Sequence, residues 1–493
     1  MPIHLQELIF SSSNTAISTE ISKLEADGKI KKIAPRIYTG KINEKPESII
    51  RRNIFSILGK QYRGAVLSHR SALEFKPTTT GNIFLTYTYT KKIKLPGITL
   101  RILEGPGPIE GDNKFFGELY VSQQARAFLE NMQISKKQGP DSKTIPISGI
   151  EEKLEKIIQI HGEDEVKKLR DQAKKIANEL QMQDEFEKLN KLISTLLTTH
   201  TAKILDSPVA RARALGNPYD PERIRLFETL FVELQQREFK KRPDKNETEQ
   251  SFNNFAFFES YFSNYIEGTV FDVAEAKEII ETQKPMPTRD EDSHDILGTY
   301  HIVSNRQEMM ITPGSPERLL EILQYRHKIL LSARTNKSPG LFKDKNNFSG
   351  NTAFVDFNLV RGTLTKGFEY FTALRTSFGK AIYMMFLISE VHPFLDGNGR
   401  VARIMMNAEF AKEGESKIIV PTVYRDDYLG SLRRLTRQSD PDAYIRAMQR
   451  LHEFSENICD DDIDAMEGYL KSCDSFLEPT EGKLKILPNV KAT

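Results

Sequence analysis

The chain has 493 residues, of which 28% are charged and 39% hydrophobic, with a formal net charge of +2. That balance belongs to folded domains and excludes disordered, collagen-like and low-complexity classes. Residues 1–20 do not join a basic start to an apolar core, and no window is apolar enough to cross a bilayer, so a cytoplasmic protein with no membrane partner is expected. The two cysteines, Cys459 and Cys473, have neither zinc-ligand nor disulfide spacing and read as reduced thiols.

Charge is unevenly spread. Residues 1–105 carry 17 Lys+Arg against 8 Asp+Glu, a net of +9, leaving 53 basic against 60 acidic residues for the rest. Leu5, Leu8 and Ile9 predict a first helix, and Ile17, Ile21 and Leu24 a second over 15–27 that Gly28 stops. Lys29–Ile33 and Arg36–Tyr38 then alternate apolar and basic residues around Pro35, the pattern of a hairpin wing. Helix, helix and basic wing outline a winged helix-turn-helix over residues 1–80, with DNA as its candidate partner. The stretch Leu24–Tyr38, with Leu67–Leu73 further on, resembles the N-terminal part of AbiEi-type antitoxins, which implies a regulator of toxin–antitoxin type. The helix ending at Gly28 departs from a DNA-reading helix, offering Glu20, Glu25 and Asp27 but only Lys23; such modules also bind proteins.

Residues 81–215 read as a small α/β and helical region. Ile83–Tyr89 and Ile98–Leu103 are β-rich runs separated by a Lys-rich segment and Pro96-Gly97, and 149–197 is helical and heavily charged. His69 and Arg70 read as local packing. The turn-rich Gly216–Pro221 opens a mostly helical domain over 217–460. Its first helix begins at Ile224; Ser263-Asn-Tyr-Ile-Glu267-Gly268 reads alone as a helix end; Pro285 and Pro287 mark a loop; a further helix covers 317–331. From Pro339 to Phe357 helical periodicity is lost. Ala381–Ile388 is almost wholly apolar and reads as a buried central helix.

That helix runs into the densest chemistry in the chain, residues 391–403. His392 can exchange a proton and Asp396 is a hard oxygen ligand. Gly397-Asn398-Gly399 can turn its N–H groups inward at the start of a helix carrying Val401, Ile404 and Met405, which is an anion cradle. Arg400 and Arg403 lie on neighbouring turns and suit further phosphates, and a carboxylate beside them suggests Mg²⁺. The chemistry is that of a nucleotide phosphate site with a histidine base.

The string His392-Pro-Phe-Leu-Asp396-Gly-Asn-Gly-Arg400, followed by Arg403, resembles the Fic family motif His-Pro-Phe-x-Asp/Glu-Gly-Asn-Gly-Arg-x-x-Arg at every defined position. The resemblance implies a mainly α fold with a β-hairpin flap, and transfer of AMP from ATP to a Ser, Thr or Tyr hydroxyl of a protein, with the chain itself among the candidate targets. It implies His392 as base, Asp396 on Mg²⁺, Gly397, Asn398, Gly399 and Arg400 on phosphates, and Arg403 on the γ-phosphate, with Phe394 anchoring the loop. Tyr428 and Asn407 fall where adenine contacts lie, and Thr352, Ala353 and Phe354 where a flap edge would hold a target segment. Upstream, Ser263-x-x-x-Glu267-Gly268 resembles the family's inhibitory motif, which implies that Glu267 pairs with Arg403 and excludes the γ-phosphate while Ser263 steadies the pair. Thr269 stands where Asn is common. Three alternatives stay open: de-adenylylation with Glu267 positioning water, phosphoryl transfer as in Doc-like relatives, and a DNA-binding regulator whose domain senses nucleotide. Residues 461–493 lose periodicity and read as a terminal extension.

Overall fold

The computed structural model describes residues 3–197, 205–286, 288–349 and 352–489. Pro287 and residues 490–493, assigned from the sequence to a loop and to the terminal extension, lie outside them. The chain divides into two compact units, Met1–Leu215 and Gly216–Thr493.

The first unit begins with β1 (Ile9–Phe10), α1 (Thr15–Ala26), β2 (Lys31–Ala34) and β3 (Ile37–Thr39), an antiparallel sheet ordered β1-β3-β2 with one helix. Asn14 Oδ1 accepts from the N–H groups of Ala16 and Ile17 and fixes the start of α1. The hairpin wing is present, turning at Arg36 with φ 63°. The first helix is not. Leu5 ends a single 3₁₀ turn and is 52% exposed, while Ile9 is buried in a strand paired with Tyr38. Three apolar residues within five satisfy a strand as well as a helical turn, and the Asn14 cap starts α1 too soon for a longer helix to precede it. The described residues ahead of the wing therefore hold one helix, and the helix-turn-helix outline is not formed.

Next come α2 (Pro46–Arg52), α3 (Ile54–Gln61), β4 (Val66–Leu67), α4 (His69–Glu74), β5 (Asn82–Tyr87), β6 (Lys91–Leu95), β7 (Ile98–Glu104), β8 (Asn113–Lys114), β9 (Tyr120–Val121) and α5 (Gln124–Asn131). Their strands make a mixed sheet ordered β6-β7-β5-β4-β9-β8. The Lys-rich segment is itself strand β6, at the sheet edge, with Lys91, Lys92 and Lys94 exposed. Lysines there discourage a further strand from pairing. Helices α6 (Ile147–His161), α7 (Glu163–Leu180), α8 (Gln183–Leu196) and α9 (Pro208–Ala214) complete the unit around Leu154, Leu169, Leu189 and Ile193.

The second unit is helical: α10 (Pro221–Gln235), α11 (Glu249–Ile266), α12 (Val273–Thr282), α13 (Asp290–Val303), α14 (Arg306–Met309), α15 (Pro316–Leu330), the hairpin β10 (Phe348–Ser349) and β11 (Thr352–Ala353), α16 (Val360–Ala373), α17 (Ser377–Val391), α18 (Asn398–Lys412), α19 (Arg425–Gln438), α20 (Pro441–Ser455) and α21 (Ile463–Ser472). Apolar on all sides, α17 lies in the middle, against α10, α16 and α18. Among the described residues no helix is long and apolar enough to cross a membrane.

Residues 461–489 are not a loose extension. Asp462 caps α21, Met466, Leu470 and Cys473 are buried, and the Phe476 ring lies 5.0 Å from Phe262 of α11. The hydroxyl of Tyr265, also on α11, donates to Glu478 at 2.5 Å. Ile463, Met466 and Leu470 have helical spacing, but the Asp460–Asp462 run masks it in the sequence by reading as a solvated tail when it is the cap.

Candidate active site

Helix α17 stops at His392, whose N–H still bonds Ile388 O (2.9 Å) while its own φ is 53°. This left-handed turn throws Pro393–Gly397 across to the start of α18, and a histidine stays in such a conformation only where its surroundings fix it. Phe394 is fully buried, and Asn398 clamps it from both sides, accepting from its N–H (2.8 Å) and donating to its carbonyl (2.9 Å). Asn347 donates to the same carbonyl (2.8 Å), and Lys343 N–H to that of Pro393 (2.9 Å). The His327 ring stacks on Phe394 at 3.8 Å. Its Nδ1 accepts from Gly340 N–H (2.9 Å), so its Nε2 donates to the Asp396 carbonyl (3.1 Å).

His392 carries Phe354 flat on its ring at 3.7 Å, and its Nδ1 lies 3.3 Å from Ser389 O. Donation from Nδ1 leaves the Nε2 lone pair unused, and no hydrogen bond among the described residues reaches it. Burial pushes His392 down to about 4, against the upward pull of Ser389 O, Glu267 and Asp396. At neutral pH it is an uncharged base. It faces a cleft of about 550 Å³ lined also by Glu267, Gly399, Arg403, Tyr428 and Thr436.

Glu267 closes the C-terminus of α11, where Gly268 takes φ 94°. Arg403 Nη2 donates to Glu267 Oε1 (2.7 Å) and to Ser263 O (2.9 Å), and its Nε to Ser263 Oγ (3.0 Å). A Cβ on Gly399 would stand 2.2 Å from Glu267 Oε1, so the glycine is what lets this carboxylate lie on the first turn of α18. That helix end attracts anions. Burial favours the neutral form of Glu267, but Arg403, then Arg400 and His392, hold its carboxyl below the usual range. The glutamate is an anion already seated in the cradle.

Asp396 is partly exposed. Its Oδ1 accepts from Gly397 N–H (2.7 Å) and its Oδ2 lies 3.5 Å from Lys337 Nζ. Burial raises its pKa, yet Gly397 N–H, Arg400 and Lys337 together hold it down, so it is ionised. Tyr428 lines the cleft with its hydroxyl beside Arg403.

Four expectations change. The Asn398 side chain is committed to Phe394, so only its main-chain N–H can face a phosphate. Asn407 is fully buried with its amide spent on Glu259 and on both main-chain groups of Ile418, which makes it a strut outside the cleft. Arg400 turns inward, pairing with Asp295 (2.7 Å) and Asn264 (3.2 Å), although its buried Nε has no partner among the described residues. On the hairpin, the bond from Phe354 N–H to Asn347 O makes Phe348–Ala353 the non-bonded pair, so the main chain of Ala353 faces outward. Arg223 Nη2 takes that carbonyl at 2.5 Å and Phe354 covers His392, so the strand edge at Thr352–Phe354 is not free. Among the described residues β10 has no strand partner besides β11, and Phe348 on it is 67% exposed.

Sequence reasoning missed Lys343, His327, Asp295 and Arg223. Each meets the loop, the flap or, for Asp295, Arg400 of α18 from a separate element, and nothing in its local sequence marks it.

Residues 318–409 match the Fic/DOC family. The chain is 26% identical over 208 residues to Protein adenylyltransferase Fic of Drosophila mojavensis, covering 39% of this chain and 39% of that protein. To the protein of the same name from Nematostella vectensis it is 26% identical over 213 residues, covering 40% and 47%. The chain thus spans less than half the length of these curated relatives. The structure of Fic-1 from C. elegans aligns with a TM-score of 0.36 and 17% identity, over 65% of this chain and 99% of that one. Residues 318–409, which carry His392, Asp396 and Arg403 on one loop and helix, are a Fic domain.

Proposed function

We propose that the chain is a protein adenylyltransferase that moves AMP from ATP to a Ser, Thr or Tyr hydroxyl of a protein, and that Glu267 restrains it. The observation that carries this reading is a neutral His392 whose Nε2 is unengaged, facing a cleft that also holds Arg403 and the first turn of α18. In the proposed step Nε2 takes the hydroxyl proton as the oxygen attacks the α-phosphorus. The new oxygen–phosphorus bond forms as the bond to the bridging oxygen breaks, and pyrophosphate leaves. The main-chain N–H groups of Asn398 and Gly399 with Arg403 would hold the phosphates, Arg400 would steady the start of α18 through its pair with Asp295, and Tyr428 would border the nucleoside.

Asp396 would hold Mg²⁺. Its carboxylate is ionised and partly exposed beside the cradle, and no group of three His, Cys, Asp or Glu among the described residues could bind a metal unaided. Mg²⁺ is commonly held by one or two carboxylates together with substrate phosphates, and it would supply charge neutralisation there.

Glu267 stands where the γ-phosphate charge would sit. Two like unit charges about 4 Å apart repel by about 4 kcal/mol at an effective dielectric of about 20, on the order of 10³ in an equilibrium constant. Removing the carboxylate should therefore raise productive binding by up to that order. Glu267 Oε2 has no bond among the described residues, which favours a second reading for the same site: hydrolysis of a protein–AMP bond, with this oxygen positioning water. For the DNA-binding alternative the basic charge of residues 1–105 is the support that is left.

The test is incubation with Mg²⁺ and ATP labelled at the α-phosphate, with and without lysate, using wild type, Glu267→Gly and Glu267→Gly with His392→Ala. Strong protein labelling by Glu267→Gly, lost in the double variant, is expected. ATP binding without labelling by any variant would overturn the transferase reading.

A further inference from the structure

The hairpin flap has two residues in each described strand. A two-stranded hairpin is at best marginal in water, so something else must hold this one. Two arginines reach it from different helices. Arg437 of α19 donates to Thr352 Oγ1 at 2.9 Å. Arg223, in the first turn of α10, divides its guanidinium: Nη2 donates to the outward carbonyl of Ala353 at 2.5 Å, and Nη1 pairs with Glu390 Oε1.

Glu390 lies two residues before His392 and is 3% exposed. Its other oxygen accepts from the hydroxyl of Thr436 at 2.7 Å. Burial raises the Glu390 carboxyl, with Arg223 as the strongest opposing influence. Thus one planar fork joins the end of the catalytic helix to the outer edge of the flap, a geometry that a single ammonium cannot reproduce. The side chain is 17% exposed, so the pair is shielded enough to matter. His392 itself is fixed separately, by its N–H to Ile388 O and its Nδ1 at Ser389 O.

We propose that Arg223, with Glu390 as its anchor, is a positioning residue for protein targets: it occupies the β11 edge and so sets the flap in the place that leaves β10 as the edge for an incoming extended segment. The inference rests on the adenylyltransferase reading. Arg223 makes no bond to the nucleotide cradle, so losing it separates transfer to protein from consumption of ATP.

The experiment uses the full chain in the Glu267→Gly background with Mg²⁺ and α-labelled ATP. Label joined to protein, label released as AMP to water, ATP affinity and melting temperature are measured for Arg223, Arg223→Lys and Arg223→Ala. Arg223→Lys keeps the charge opposite Glu390 but cannot span both partners. The ratio of protein-bound label to free AMP should fall at least tenfold in both variants, with ATP affinity within twofold of the parent. Glu390→Gln approaches the pair from its other end and should shift the ratio the same way by a smaller factor, which keeps the test alive if either Arg223 variant folds poorly. An unchanged ratio, or protein labelling that falls only in step with ATP affinity and melting temperature, would overturn the proposal. A Glu267→Gly parent that labels no protein would instead remove the adenylyltransferase reading.

Discussion

Two histidines, one in each unit, take the same left-handed backbone, with φ 55° at the buried His69 and 53° at the half-buried His392. Their side chains differ. His69 Nδ1 meets Ser68 Oγ at 3.0 Å, its Nε2 meets Gln133 Oε1 at 3.0 Å, and its N–H donates to Glu130 (2.8 Å). Around it Arg126 pairs with Glu130 (2.8 Å), and Ser122 Oγ donates to Glu130 (2.9 Å), so the network closes on itself. His392 spends one nitrogen and turns the other to a cleft. Backbone strain is common to both, and the unspent lone pair beside a cradle for anions distinguishes a site from a strut.

Removing each ring should have opposite consequences. In the Glu267→Gly background His392→Ala should lower AMP transfer by about 10²–10⁴-fold, the usual contribution of a general base. His69→Ala should leave transfer within about twofold and instead lower folding stability by about 1–3 kcal/mol, read by denaturant titration, since it orphans buried partners. Asp396→Ala should come next, weakening Mg²⁺-dependent ATP binding by about tenfold while binding in EDTA hardly changes, as titration calorimetry would record.

The pH profile tests the neutral state of His392. A depressed histidine is uncharged, and competent as a base, above its pKa, so transfer is lost as pH falls through it. The acid limb of the rate in Glu267→Gly should lie at about 4 or lower, because the removed carboxylate was raising the histidine, and not near the ordinary histidine value. The same reasoning keeps Glu267 ionised and the wild type restrained until pH drops below the usual carboxylate range. The smallest effect should come from Tyr265→Phe, which loses the bond to Glu478 and loosens α11 near Glu267. A two- to threefold rise in wild-type labelling is expected, with unchanged ATP affinity.

The local sequence made the loop at 392–400 legible because its chemistry is contiguous: histidine, carboxylate, glycine turn and two arginines fall within a dozen residues at the end of a long apolar helix. Glu267 could be named only through the resemblance of Ser263–Gly268 to an inhibitory motif, since alone that stretch reads as a helix end, and the structure is what places its carboxylate over Gly399. What escaped was everything that reaches the loop from a distance. His327 and Lys343 fix carbonyls and ring positions, and Asp295 holds Arg400, yet each looks like an ordinary residue of its own segment. Elsewhere short runs misled: Leu5–Ile9 fits helix and strand alike, β6 hides its pairing behind surface lysines, and the Asp462 cap of α21 resembles a polar tail.

The proposed site transfers the nucleotide and not the terminal phosphate, and Glu267 withholds it. Parallel reactions of wild type and Glu267→Gly with ATP labelled at the α- or the γ-phosphate test both halves at once. Protein should carry α-label, much more with Glu267→Gly than with wild type, and no γ-label with either. Protein-bound γ-label, or α-label equal in the two proteins, would contradict it.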